Sequence, residues 1–131
     1  SDTATISFIP IGRHFSEASS LTDGTREYSN ALLLPYDCRV ISMLVRSTNV
    51  MGATTAAIWT VGDGDNIDST DTSYRKETSS VTMSAANTRY NISFTGDYII
   101  PARNLVAFQL TTAEQQININ YMMILDFNVP V

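Results

Sequence analysis

From Ile117 to Val129 the chain alternates without a break. Ile117, Ile119, Tyr121, Met123, Leu125, Phe127 and Val129 occupy every second position, with Asn118, Asn120, Met122, Ile124, Asp126 and Asn128 between them. Successive side chains of an extended strand point to opposite faces, whereas a helix would scatter these residues around its circumference. The segment therefore predicts a long strand with one apolar face. Its second face is polar at the ends but carries Met122 and Ile124 in the middle, so a neighbouring subunit or a loop is expected to cover that part.

The same period recurs upstream. Tyr90, Ile92 and Phe94 alternate with polar residues until Gly96-Asp97, and Val106, Phe108 and Leu110 alternate with Ala107, Gln109 and Thr111. Tyr98–Pro101 between them reads as a short apolar strand piece ended by a proline, which cannot donate to a central ladder. In the first half, Ile6–Pro10 and Ala31–Leu34 read as short strands. Cys38–Ser47 is apolar on both faces and predicts a buried central strand. Thr54–Val61, with the sole tryptophan Trp59, and Lys76–Ser84 complete the set, while residues 14–21 suggest one helical turn or a loop. No amphipathic helical stripe exceeds two turns. Seven to nine short strands punctuated by Gly, Pro, Asn and Asp predict an all-β fold, an antiparallel β-sandwich of jelly-roll type, with a closed barrel as the alternative. A chain of 131 residues without a linker or internal repeat predicts one domain over 1–131, with segment 1–5 as an N-terminal arm.

Composition narrows the function. Lys76 is the only lysine among eight basic residues, the formal charge is −5, and no basic cluster is present, which argues against nucleic acid and anionic membranes as partners. No apolar run reaches the ~18 residues of a membrane span, and Ser1–Thr5 lacks the basic and apolar regions of a signal peptide. One cysteine, Cys38, and one histidine, His14, exclude an intrachain disulfide, a cysteine zinc site and paired-histidine chemistry. A serine triad would have to use His14, and no nucleophile elbow, P-loop or GxGxxG occurs. Cys38 enters an apolar strand and reads as a small core residue. Glu17, Glu27, Glu77 and Glu114 show no pairing expected of a glycosidase. The chain is therefore expected not to be an enzyme, with no catalytic residues and no cofactor.

Residues 62–73 hold Asp63, Asp65, Asp68 and Asp71 and no base, so this one segment carries −4 of the net charge and the rest of the chain −1. Asp63, Asp65 and Asp68 are weak candidate ligands for Ca²⁺, but the EF-hand template fails: Asp68 stands at the glycine position and Tyr74 at that of the bidentate glutamate. The plainer reading is an exposed loop that buries almost nothing. Trp59 with Tyr28, Tyr36, Tyr74, Tyr90 and Tyr98 offers a sugar-stacking platform, against a core position for Trp59. The scattered arginines, Arg39 and Arg46 among them, are either solvent-facing strand ends or docking points for carboxylates of a partner.

The stretch ALLLPYDCRVISMLVRSTNVMGATTAAIWTVGDGD, residues 31–65, resembles a block found in small virion structural proteins of tailed phages, notably cyanophages: an apolar run, Pro35-Tyr36-Asp37 before a strand, Arg46-Ser47 at its end, and a Gly/Ala/Thr turn into a second strand. Residues 94–112, FTGDYIIPARNLVAFQLTT, are similar to the second half of such proteins. Many of those have Gly in that turn; here Ala102-Arg103-Asn104 stands instead, of which Asn104 can take the left-handed conformation at modest cost. The resemblance implies a capsid decoration (cement) protein on the outer surface of a phage head, made in the host cytoplasm. Its partners would be the major capsid protein or another virion protein. The alternative is a tail or fibre component, or a glycan-binding adhesin. The doubly apolar strands add the expectation of a homo-oligomer, dimer or trimer, and no interface residues follow from the sequence.

Overall fold

The computed structural model describes residues 5–8, 16–18, 31–62, 64, 65, 67, 71–114, 116 and 118–128. Within them lie nine strands and one 3-10 turn, Thr72–Tyr74: β1 Thr5–Phe8, β2 Ser16–Ala18, β3 Ala31–Leu33, β4 Arg39–Arg46, β5 Gly52–Val61, β6 Arg75–Met83, β7 Tyr90–Ser93, β8 Leu105–Thr112 and β9 Asn120–Asp126. All pairings are antiparallel. They make two sheets, one of order β2-β1-β8-β5-β6 and one of order β7-β4-β9. β1 and β3 divide one edge of β8 between them, β3 against its first half and β1 against its second. This is the expected antiparallel β-sandwich. Residues 14–21, expected as a helical turn or loop, instead contain β2, a short strand held by pairing with β1 rather than by any local periodicity.

The core between the sheets explains the alternation. Val40, Met43 and Val45 of β4 and Ile92 of β7 face Ala56 and Ile58 of β5 and Val106, Phe108 and Leu110 of β8, all buried. Tyr121, Met123 and Leu125 of β9 pack against this core but remain half-buried, because β9 is an edge. The other face of β5 and β8 is also covered. Ala57, Trp59, Val61, Ala107 and Ile67 form a second cluster, with Tyr74 and Leu105 against it. β5 and β8 are thus the strands buried on both sides, which is why Ala56–Val61 is apolar nearly throughout.

Cys38–Ser47 is central within its own sheet but, contrary to expectation, is not buried on both faces: Ile41 is 39% exposed and Leu44 half-buried. The cause is local. The β4–β9 register shifts between Val40 and Ser42, so Ile41 is the extra residue of a bulge and is turned outward. Its carbonyl accepts from the Phe94 N–H at 3.0 Å.

Two sets of contacts join distant segments. Along one side of the sandwich, Ser79 Oγ on β6 donates to the carbonyl of Ser93, the last residue of β7, at 2.5 Å, and Glu77 Oε1 accepts from Thr95 Oγ1 at 2.7 Å. Elsewhere, the segment Leu34–Cys38 is clasped to Ile100–Arg103. Cys38 and Ile100 exchange both backbone hydrogen bonds (3.0 and 2.7 Å), the Arg103 N–H donates to Leu34 O at 2.8 Å, and the Ala102 N–H donates to Asp37 Oδ1 at 2.7 Å. Tyr98–Pro101 therefore contributes a single bridge rather than a strand. The left-handed residue of this turn is Arg103, at φ 67°, not Asn104.

Candidate interaction surface

The outer face of the three-stranded sheet is built by the residues that the alternation points away from the core. Cross-strand neighbours on it are Leu44 and Met122, Ser42 and Ile124, Arg46 and Asn120, and Arg39 and Asp126. β7 adds Asn91 beside Leu44 and Ser93 beside Ser42. Met122 is 57% exposed, Ile124 40%, and with Leu44 and the bulged Ile41 they form an apolar strip across β4 and β9. Leu44 and Met122 floor a shallow cleft of about 180 Å³ whose rim is Arg46, Arg89 and Asn120. Scattered exposed apolar residues are ordinary, but contiguous ones on one sheet face mark a contact surface.

The electrostatics of this face are uneven. Arg46 and Arg89 stand together at one end, both exposed, and among the described residues neither has a carboxylate within ion-pair distance. At the other end Arg39 Nε lies 3.8 Å from Asp126 Oδ2, too far for a hydrogen bond, and that buried Nε has no hydrogen-bond partner. Asp126 Oδ1 accepts from the Asn128 N–H at 2.8 Å. Burial raises the Tyr121 hydroxyl above its ordinary pKa. Tyr90 shifts the other way, mainly through its hydrogen bond with Ser84, helped by the Ala85 N–H that donates to its oxygen at 2.9 Å.

Of the three cation candidates the structure describes one. Asp65 is exposed, while Asp63 and Asp68 lie outside the described residues. Asp71 is occupied by the fold itself, since its Oδ1 accepts from the Ser73 N–H at 3.0 Å and caps the 3-10 turn. No cluster of three metal-ligating side chains occurs among the described residues. The expectation that this loop buries almost nothing is corrected by Ile67, which is fully buried against the Trp59 cluster.

Trp59 is also fully buried, on the outer face of the large sheet. Its Nε1–H donates to Gln109 Oε1 at 3.1 Å, and the Arg75 guanidinium lies 5.9 Å from its ring centre. It therefore serves as core and is closed to a stacking sugar. Cys38 is buried, and its thiol pKa is raised by that burial first and by the Asp37 charge second, the opposite of an activated nucleophile. Glu77 is engaged with Thr95, and its second contact is the Gly96 N–H at 3.3 Å. His14, Glu27 and Tyr28 lie outside the described residues, as does the side chain of Glu17.

The alternation in the sequence singles out Met122 and Ile124 but not Leu44 or Arg89 as their companions. A signal for Leu44 is present in the second apolar face of Cys38–Ser47; what the sequence lacks is the fact that β4 and β9 are neighbours. No protein-family model, no curated protein and no solved structure matches the chain.

Proposed function

We propose that this chain is a structural protein that acts by surface contact, specifically a decoration protein binding the outer surface of a tailed-phage head. The observation that carries the reading is the outer face of the three-stranded sheet, where exposed Ile41, Met122 and Ile124 and half-buried Leu44 stand beside two arginines. A wide, shallow surface of this kind suits many modest contacts repeated by symmetry rather than the enclosure of a small substrate. The capsid assignment rests on the resemblance of residues 31–65 and 94–112 to virion structural proteins. Those two stretches are also the ones that meet in the β5–β8 pairing and in the Leu34–Cys38 clasp, so the resembling pattern describes one connected part of the fold.

Sedimentation of purified protein with undecorated, expanded capsids tests the proposal. Saturable co-sedimentation at a fixed ratio to the major capsid protein is expected, weakened by Leu44→Asp. Absence of saturable binding sinks the capsid reading.

A further inference from the structure

We propose that two copies of this chain dimerise by pairing their β9 strands antiparallel about a two-fold axis at Met123, joining two three-stranded sheets into one of six.

β9 is hydrogen-bonded to β4 on one side and to no described strand on the other. It is seven residues long and regular, without proline or lysine along Asn120–Asp126. Natural sheets seldom leave such an edge open, because its unpaired N–H and C=O groups template another strand; they blunt edges with charge, proline or bulges. β6, the far edge of the large sheet, shows that defence. It carries Lys76, a register shift opposite Ile58 and Trp59, and side-chain hydrogen bonds that tie it to the β7 corner.

The occupant is a second copy because the sequence of β9 is complementary to itself. A two-fold axis at Met123 places Met122 against Ile124 of the other copy, Tyr121 against its Leu125, Asn120 against its Asp126, and Met123 against itself. Every pair is apolar with apolar or polar with polar, and each stays on its own face of the sheet, as pairing requires. The two most exposed apolar residues of the strand cover each other, and the half-buried inner residues Tyr121, Met123 and Leu125 gain neighbours. Charge agrees. Asn120 is the cross-strand neighbour of Arg46, so Asp126 of the second copy arrives two strands from Arg46, within reach of its long side chain, at the end where no carboxylate among the described residues pairs with Arg46 or Arg89. The Leu44 and Ile41 strips of both copies then lie on one continuous face. An interface resting on one short strand per copy is at the small end of stable interfaces, so dissociation on dilution is expected.

The inference stands apart from the capsid reading and is tested without capsids. Light scattering on the full chain, over a dilution series, should give two-copy mass falling to one. Met122→Glu and Ile124→Lys change exposed positions, and the new carboxylate lies beside Arg46, so the monomer stays folded, as Trp59 fluorescence checks. Each variant alone should weaken dimerisation about tenfold or more. An equimolar mixture should recover it, because this register sets the new carboxylate of one chain against the new ammonium of the other. In the unaltered protein, hydrogen exchange should show β9 amides slowing as concentration rises. A one-copy or three-copy mass at all concentrations, a dimer indifferent to both substitutions, no recovery on mixing, or β9 exchange independent of concentration overturns the proposal.

Discussion

Ile67→Ala tests whether the acidic segment is a solvated loop or the lid of a second core. Ile67 is fully buried beside Trp59, Val61 and Ala107, although its neighbours Asp65 and Asp71 are exposed. Truncation to alanine removes three carbons from that cluster. At about 0.8 kcal/mol per methylene the transfer term is about 2.4 kcal/mol, and a residual cavity adds to it. The polar flanks let the segment relax, so a loss of about 2–3 kcal/mol is expected, in the lower part of the range for such changes. With a urea dependence near 1.5 kcal/mol per molar, the unfolding midpoint falls by about 1.3–2 M. The assay is built in. Trp59 is the only tryptophan and touches the site, so its emission should shift red in the native baseline of the variant as water enters, in addition to the earlier midpoint. Asp65→Ala, at an exposed position, should stay within about 0.5 kcal/mol of the parent. A loss under about 0.5 kcal/mol for Ile67→Ala with unchanged native emission refutes the second core as a stabilising unit.

Asp37→Ala should cost about 1 kcal/mol by freeing the Ala102 N–H, whereas Asp37→Asn, which keeps an accepting oxygen, should cost less; urea midpoints compare the two. Arg103→Gly should raise stability by about 0.5 kcal/mol, since relief of the left-handed φ of 67° outweighs the added freedom of the unfolded chain, and Arg103→Val should lower it by more than about 1 kcal/mol; thermal melts read both. Cys38 and Tyr121 hold their protons more tightly folded than unfolded, so stability is intact below the unfolded-state values of about 8.5 and 10 and declines as pH rises through them toward the folded ones. Cys38→Ala should lower stability at neutral pH yet flatten the first part of that alkaline decline; an unchanged slope in urea titrations counts against the thiol as its source. Tyr90, lowered by its hydrogen bonds, opposes the trend, so Tyr90→Phe should steepen it.

The sandwich is legible where a strand turns every second, larger apolar residue to the core between the sheets. Ile92, Val106, Phe108, Leu110 and Met123 announce themselves by period two, and the structure puts them all against the same core. Where the period failed, a different cause operated each time. β2 has three residues, too few for any period, and exists only because β1 offers it an edge. The apolar run Ala56–Val61 hides its period because Ile67, far along an acidic stretch, covers the face that would otherwise be polar. Cys38–Ser47 hides its own for the opposite reason: the bulge at Ile41 shifts register within the strand, so an apolar residue that counting assigns to the interior stands outside. The two runs look alike in sequence and differ in what lies over them. A doubly apolar strand states only that both faces are to be covered. For β5 the cover is supplied within the chain. For the outer face of β4 and β9 no described segment supplies it, so the face stays open as a contact surface, while the self-complementary order of Asn120–Asp126 accounts for the edge of β9 alone. The same reasoning separates the two clusters of charge. The four aspartates of residues 62–73 dominate the net charge, yet Asp71 serves a turn and Asp65 serves solvent. Arg46 and Arg89, two ordinary residues in the sequence, become a paired feature only once β4 and β7 lie side by side, far apart in the chain and adjacent in the sheet.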